Sequence, residues 1–214
     1  MKTQITYLAT LTMVFVATQL FAQKPTTVNL GKFSHTFNRN VTSAVGSPVM
    51  KINAGPGSGG AWLRLKDVAN AEIEVELKGS DSFQRSFVGI AFHGQNDSTY
   101  EAIYFRPFNF GSSDPERAKH TVQYISLPGN DWPKLRSESA GKYEQPLNVQ
   151  VNPNDWFKVK IVLLNEQISV YINGAADPSL QVKSLSTNRT GKIGMWTGNE
   201  SAGEFRNMTI KRLN

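Results

Sequence analysis

The fold is decided by residues 154–174, whose sequence is NDWFKVKIVLLNEQISVYING. Apolar residues occupy every second position on both sides of Asn165-Glu166, namely Phe157, Val159, Ile161 and Leu163 before it and Ile168, Val170 and Ile172 after it. Alternation with a period of two predicts half-buried β-strands, and the Asn-Gly pair at 173–174 is a strong turn signal. The stretch therefore predicts a β-hairpin with a tight turn at Asn165-Glu166.

The same alternation continues through most of the chain. It is visible at 61–66, 71–77, 87–93, 100–106, 121–126, 192–196 and 205–213. Within 100–106 it places Ile103 and Phe105 inward and Tyr104 and Arg106 outward. No helical periodicity longer than about ten residues follows the N-terminal segment. About eleven short strands with turn residues between them predict an all-β sandwich.

Two stretches between these strands do not alternate. Residues 55–60 read GPGSGG, which predicts a flexible loop. Residues 127–154 contain four prolines together with aromatic and charged residues. Long loops in compact domains are usually functional or disordered. The aromatic residues of this one favour an ordered loop that covers one sheet.

The N-terminus predicts export. Lys2 precedes an uncharged segment at 5–22, and the small residue Ala22 stands before Gln23. This is the pattern of a cleaved secretory signal peptide, whereas a transmembrane anchor needs about 20 apolar residues in a row. We expect a signal peptide at 1–22 and a single domain at 23–214, which acts in the periplasm or outside the cell and has no membrane anchor.

Composition narrows the class further. The chain has 214 residues, no cysteine and a formal net charge of +6. Its basic and acidic residues are interspersed, whereas nucleic-acid binders concentrate positive charge on one face, so no nucleic-acid partner is expected. The lack of thiols excludes a lipid-anchored cysteine and a thiolate zinc site. Export without disulfides is typical of a bacterial protein.

The last third of the chain resembles a known family. Besides residues 154–174, it contains GKIGMW at 191–196 and EFRNMTI at 204–210. These segments resemble the concanavalin A-like lectin/glucanase superfamily, and they are most similar to its LamG-like and 3-keto-disaccharide hydrolase (formerly DUF1080) domains. The resemblance covers residues 70–214 and implies a jelly-roll sandwich of two curved antiparallel sheets. In that superfamily the concave face often binds or cleaves glycans, although fold alone does not establish function.

A first candidate site lies in the segment EIEVE at 72–76. Glu72, Glu74 and Glu76 would share one strand face, about 7 Å apart. Glycosidases need two carboxyl groups about 5–9.5 Å apart. The segment resembles the Glu-x-Asp-x-Glu motif of family 16 glucanases, but Glu74 stands where that motif has aspartate. The alternative is a solvated outer face of a strand.

A second candidate site combines two neighbouring strands. The alternation puts His93 on the same face as Gly89 and Ala91, whose small side chains leave room for a ligand. Histidine can act as a general base near neutral pH. His93, Glu101 and Glu74 are therefore the candidate catalytic residues. The alternative for His93 is a surface histidine without a catalytic role.

Candidate sugar-binding residues surround this pair. Aromatic rings can stack on a sugar ring, and arginine can donate two hydrogen bonds to hydroxyl groups. If the loop at 127–154 folds over the sheet, its side chains would form one wall of the groove. The predicted binding residues are Tyr104, Arg106, Asn109, Gln123, Trp132, Arg136, Tyr143 and Asn199. The alternative is a small satellite core beneath the loop, and Trp62, Trp156 and Trp196 are expected in the core.

No cofactor is expected, although structural calcium is compatible with the sequence. Calcium binds loop oxygens, and loop aspartates are present at Asp81, Asp97, Asp114 and Asp177. No dense run of aspartates occurs, and the three histidines lack the spacing of zinc ligands.

Three functions remain open at this point. The first is a glycoside hydrolase or lyase that acts on an oligosaccharide in the groove. The second is a glycan-binding module that uses the same groove without catalysis. The third is a structural or adhesive surface protein that needs no groove.

Overall fold

The computed structural model describes residues 23–43 and 48–214. The predicted signal peptide lies outside these residues. The strands are β1 (Thr26–Thr27), β2 (Phe33–Phe37), β3 (Val41–Ser43), β4 (Met50–Ile52), β5 (Gly59–Leu63), β6 (Ala71–Lys78), β7 (Val88–Asn96), β8 (Thr99–Phe105), β9 (Val122–Leu127), β10 (Glu144–Gln145), β11 (Phe157–Leu164), β12 (Gln167–Ile172), β13 (Leu180–Lys183), β14 (Lys192–Thr197) and β15 (Gly203–Arg212). Two short helices, α1 (Pro115–Ala118) and α2 (Trp132–Glu138), and a 3-10 turn at Pro107–Asn109 complete the elements.

These strands form two antiparallel sheets packed as a sandwich. The first sheet has the order β13-β12-β11-β6-β15-β4-β3, with β1 paired to β15. The second has the order β10-β9-β8-β7-β14-β5-β2. Ring contacts such as Phe105 of β8 with Phe157 of β11, at 5.2 Å between centroids, join the inner faces. The predicted all-β sandwich is therefore confirmed.

The hairpin that decides the fold is confirmed in detail. Strands β11 and β12 pair from Val159↔Ile172 to Leu164↔Gln167. Asn165 in the connecting turn has a φ of 56°, a left-handed conformation that asparagine adopts more readily than most residues. The alternating apolar residues of β11 are buried in the core, as the period of two predicts.

The glutamates of β6 lie on the outer face of the first sheet. Each faces a cation on a neighbouring strand: Glu72 with Lys211 at 3.3 Å, Glu74 with Lys158 at 2.5 Å, and Glu76 with Arg206 at 2.6 Å. Burial would raise the pKa of Glu76, but hydrogen bonds from Asn207 and Arg206 outweigh it and lower that pKa. Glu74, which the sequence placed among the candidate catalytic residues, thus belongs to a ladder of three ion pairs on the first sheet, whereas Glu101 and His93 lie in the second sheet.

Trp156 also departs from the expected core position. It is half-buried beside this ladder, with the Arg206 guanidinium 4.1 Å from its ring centre. Trp62 and Trp196 are buried as expected.

The loop at 127–154 contains more regular structure than its sequence indicates. It holds α2, which Asp131 caps by accepting a hydrogen bond from the Lys134 backbone, and the two-residue strand β10, which pairs with β9. The loop therefore extends the second sheet by one short strand and places α2 beside it.

The glycine-rich segment at 55–60 is held in place rather than free. The guanidinium of Arg39, which is only 7% exposed, donates to the carbonyls of Pro56, Gly57 and Gly198 and to Thr197 Oγ1. The Gly57 amide also donates to Asn199 Oδ1 at 2.8 Å. One buried cation thus fixes two loops against each other, and the expectation of a flexible loop is wrong.

We expect Arg39→Met to lower the free energy of unfolding by about 3 kcal/mol, because buried carbonyl groups lose charged hydrogen-bond donors. Urea denaturation measures this change. Arg64→Met is the matched control, since Arg64 is exposed, and it should change stability by less than about 0.5 kcal/mol. Equal stability of both variants would contradict the role assigned to Arg39.

Candidate functional site

A cavity of about 690 Å³ lies on the second sheet. Because Phe105 contacts the first sheet, its neighbour Tyr104 points to the opposite face, where the cavity is. Tyr104, Ile125 and Trp196, from three different strands, form its floor. Loops before β7, after β8, around α2 and after β14 form its rim. The predicted outward orientation of Tyr104 and Arg106 is confirmed.

Aromatic rings make up much of the cavity lining. The rings of Tyr104 and Trp196 have their centroids 4.9 Å apart, and Trp196 Nε1 donates to Tyr100 Oη at 3.0 Å. Phe87 contacts the Tyr104 ring edge-on at 6.1 Å. Trp132 stands on the rim with 45% of its surface exposed. Such a lining suits a ligand with apolar faces.

Arg106 introduces a buried positive charge. Its Nη2 donates to Tyr104 Oη at 2.8 Å and to Gln123 Oε1 at 3.2 Å, and its Nη1 donates to the His120 carbonyl at 3.2 Å. Burial lowers the pKa of Arg106, but an arginine remains charged in proteins. Burial also raises the pKa of Tyr104 to about 12, so its hydroxyl stays protonated.

The Glu144 carboxylate balances this charge. It is 3% exposed and accepts two hydrogen bonds from Arg136, at 2.8 and 2.6 Å, while Arg106 Nη1 lies 3.7 Å away. Burial would raise the pKa of Glu144, but hydrogen bonding and charge from Arg136, together with His120 and Arg106, hold it below its usual value. Glu144 is therefore ionised at neutral pH.

His120 is the third group around Glu144. Its Nδ1 lies 2.8 Å from Glu144 Oε2 and is buried, yet the two atoms are misaligned for a hydrogen bond. The side chain is 27% exposed and lines the cavity. The backbone is fixed because the His120 carbonyl accepts from Arg106 and from Asn109 Nδ2. The arrangement therefore places an imidazole in the cavity lining directly beside a buried carboxylate.

The structure brings most of the predicted binding residues together. Those that line the cavity are Tyr104, Arg106, Asn109, Trp132, Arg136 and Asn199. Two others lie behind its wall. Gln123 is fully buried and orients Arg106, and Tyr143 packs on Tyr124 with centroids 5.7 Å apart. Gln123 and Tyr143 are therefore supporting residues, not lining residues.

His93 and Glu101 lie outside the cavity. The β7–β8 register shifts between Phe92 and Asn96, and His93 has a φ of 49°. This bulge turns the His93 side chain to the other face, so its expected alignment with Gly89 and Ala91 is wrong. His93 Nδ1 lies 2.7 Å from Glu101 Oε2, and both side chains are buried.

A closed hydrogen-bond network surrounds the Glu101 carboxylate. Its Oε1 accepts hydrogen bonds from Tyr124 Oη and from Ser184 Oγ, and the other ring nitrogen of His93, Nε2, lies 3.1 Å from the Ala69 carbonyl oxygen. Arg189 in turn donates to Ser184 Oγ at 2.7 Å. His93, Glu101 and Tyr124 belong to the second sheet, whereas Ser184 follows β13 and Ala69 precedes β6 of the first sheet. The network therefore links the two sheets, and we assign it a structural role.

Glu101→Gln should lower the free energy of unfolding by about 3 kcal/mol, since it breaks a buried, fully bonded pair. Chemical denaturation would measure the loss. Glu116→Gln, at an exposed residue of the cavity rim, is the control and should stay within about 0.5 kcal/mol of the parent. If Glu101→Gln were as stable as the parent protein, the network would not be structural.

Glu144→Gln should change the pH dependence of stability. The pKa of Glu144 is lower in the folded protein than its ordinary value of 4.5, so its contribution is complete above that pH and is lost as the pH falls below it. The parent protein should therefore lose stability more steeply than the variant below about pH 4.5. Urea titrations at several acidic pH values measure both slopes, and parallel slopes would contradict the assignment.

Sequence reasoning missed several lining residues. His120 was considered from the sequence only as a zinc ligand and was rejected, and Phe83, Phe87 and Phe108 were not selected as binding residues, yet all four line the cavity. Trp196 was assigned to the core, although its ring also forms the cavity floor. The sequence signal that could have identified the phenylalanines is their clustering in the segments that flank β7 and β8. The alternating strand pattern does not cover these segments, so it assigns them no face.

The described residues contain no group of three or more histidine, aspartate or glutamate side chains placed to hold a metal ion. Asp97 instead accepts from Trp62 Nε1 at 2.8 Å, and Asp114 caps α1. Structural calcium stays a prediction. Across 23–43 and 48–214, no helix has the length and apolar character needed to cross a membrane.

Comparisons with known proteins agree with this architecture. The model of a family described as a 3-keto-alpha-glucoside-1,2-lyase-like domain matches residues 25–211. A search of the curated proteins found no match.

Among solved structures, the chain is similar to the carbohydrate-binding module CBM66 from Bacillus subtilis, with a TM-score of 0.57, 12% identity, and coverage of 89% of this chain and 97% of that one. It is also similar to a Bacillus subtilis protein with a galectin-like fold, with a TM-score of 0.54, 10% identity, and coverage of 82% and 87%. The Man3GlcNAc-bound lumenal domain of VIP36 gives a TM-score of 0.57, 11% identity, and coverage of 87% and 88%. At these identities the likeness shows the fold, and it confirms the concanavalin A-like jelly roll.

Proposed function

The chain belongs to the 3-keto-alpha-glucoside-1,2-lyase-like family, and from that membership we propose that its cavity binds a glycoside oxidised at C3 and cleaves it by elimination. The carbonyl at C3 makes the C2 proton acidic. A base removes that proton, a C1–C2 double bond forms, the bond from C1 to the leaving oxygen breaks, and that oxygen takes up a proton. The step needs no oxidant, because a separate oxidation must already have supplied the keto group.

One observation carries this proposal: His120 and Arg106 both line the cavity and both lie next to Glu144. His120 is the proposed base, and the ionised Glu144 beside its Nδ1 would stabilise the imidazolium that forms. Arg106 supplies a fixed positive charge in a buried site, where it would stabilise the negative charge that develops on the C3 oxygen. Arg136 keeps Glu144 ionised and oriented.

The cavity lining provides the proposed sugar contacts. Trp132 offers an exposed ring on the rim, and the nearly buried rings of Tyr104 and Trp196 form the apolar floor beneath it. The exposed amide of Asn199 can hydrogen-bond to a hydroxyl group, whereas the buried Asn109 amide is already engaged by the His120 carbonyl and by Arg117. Carbohydrate is therefore the proposed partner.

Hydrolysis by two carboxyl groups receives less support from this cavity. Such a mechanism needs one protonated carboxylic acid and a second carboxylate. Glu144 is ionised and held by arginine. The carboxylates that line the cavity are Glu116, which is 74% exposed and paired with Lys119, and Asp131, which caps α2. Elimination requires no such pair.

Glycan binding without catalysis is the second candidate. It is favoured by the hydrogen bonds that already engage Arg106 and by the likeness to CBM66, a carbohydrate-binding module. In this case the same aromatic residues bind the sugar and no bond breaks. We also infer from residues 1–22 that the protein acts in the periplasm or outside the cell.

His120→Gln should reduce kcat/KM for a 3-keto-glucoside by about 100-fold or more, because it removes a general base. Mass spectrometry should detect the unsaturated sugar formed without addition of water, and the unoxidised glucoside should not react. His35→Gln is the matched control, since His35 lies outside the cavity lining and is paired with Asp97. Sugar binding by calorimetry without any turnover would favour the binding module over the lyase.

A further inference from the structure

Three phenylalanines form one end of the cavity. Phe83 and Phe87 each contact Phe108 edge-on, with ring centroids 5.6 and 5.3 Å apart. Phe83 is 60% exposed, the highest value among the large hydrophobic residues in the described part of the chain. We call these residues the phenylalanine triad. Phe87 is half-buried and Phe108 is buried behind the other two rings, so the triad presents the exposed Phe83 ring and part of Phe87 at this end of the cavity.

The triad is held rigidly from behind. The Arg117 guanidinium lies 4.8 Å from the centre of the Phe83 ring, its Nη2 donates to the Phe108 carbonyl, and its Nε donates to Asn109 Oδ1 at 3.2 Å. Arg117, the charged residue that packs on Phe83, therefore donates hydrogen bonds to protein atoms through both Nε and Nη2. This end of the cavity presents ring surface and few free donors.

Polar and charged side chains lie next to the phenylalanine triad. His120, Arg106 and Glu144 form the polar end, and Asn109 joins the two ends through bonds to the His120 carbonyl and to Arg117. A sugar ring needs partners for its hydroxyl groups, since buried polar groups without partners are costly. The polar end can supply them and the triad cannot.

We propose that the triad binds the leaving group and that this group is a planar aromatic one, so that the preferred substrate class is a 3-keto aryl glycoside and not a 3-keto disaccharide. This inference rests on the proposed function for the cleavage step. Flat rings can pack edge-to-face or offset against the triad without needing hydrogen bonds. A second sugar at the same place would gain no side-chain hydrogen bonds from the three rings, and its hydroxyl groups would keep only water as partners.

The acid–base character of the cavity supports the same substrate class. A phenol has a pKa of about 10, as tyrosine does, so a phenolate leaves without a strong general acid. Of the described carboxylates at or beside the cavity, Glu144 has a lowered pKa, Glu116 is exposed and paired with Lys119, and Asp131 caps α2, so none of the three is placed as a buried general acid. An alcohol leaving group would need such an acid far more.

The test compares 3-keto phenyl glucoside with a 3-keto glucosyl disaccharide in the parent protein and in Phe83→Ala. We expect kcat/KM to be at least about tenfold higher for the aryl substrate, and Phe83→Ala to lower that value about tenfold while changing the disaccharide less than about twofold. Leu164→Ala is the matched control, because Leu164 is also an exposed apolar residue but lies in β11 of the first sheet, away from the cavity. A preference for the disaccharide, or equal losses on both substrates, would overturn the proposal.

Binding measurements separate this inference from the cleavage reaction. Calorimetry with unoxidised phenyl glucoside and the matching disaccharide reports the triad alone, since neither compound can undergo elimination. Tighter binding of phenyl glucoside that is lost in Phe83→Ala supports the aromatic leaving group even if no substrate turns over, a result that would reject only the lyase. Equal affinities of the two sugars would reject the aromatic leaving group.

Discussion

Glu144 is a carboxylate with almost no contact with solvent, and the geometry of the cavity depends on the cations that surround it. Arg106 follows β8, His120 precedes β9, Arg136 lies in α2, and Glu144 itself lies in β10. A buried carboxylate without partners would cost several kcal/mol. Four separate segments must therefore meet at one point, and this meeting fixes α2 and the turn before β9 against the second sheet.

The strand pattern carried most of the fold prediction because strand geometry is local. Successive side chains point to opposite faces, so the sequence from Tyr100 to Arg106 is enough to separate inward Phe105 from outward Tyr104. The same argument holds for the hairpin of β11 and β12. Within the site, this local rule places Tyr104 and Arg106 on the face of the sheet where the cavity lies.

The rule fails where the chain departs from a regular strand. The bulge at His93 adds a left-handed residue, and the face of every later side chain in β7 changes. The residue types between Phe92 and Asn96 do not predict a bulge. The meeting of His120 with Glu144 is also invisible in the sequence, because it depends on how β10 pairs with β9. Sites built by pairing between distant segments need the fold before they can be found.

The charges of the polar end leave one positive charge in excess when His120 is neutral, since two arginines face one carboxylate. That excess is partly offset by aromatic ring faces: Arg106 lies 4.9 Å from the Tyr104 ring, and Arg136 lies 4.9 Å from the Trp132 ring. The rings are weak partners compared with an anion. A reaction that builds negative charge on a sugar oxygen would therefore be stabilised more than the neutral substrate, which is the condition for catalysis. Trp132, which contacts Arg136, is also the exposed ring on which the sugar would lie, so charge stabilisation and sugar binding meet at this side chain.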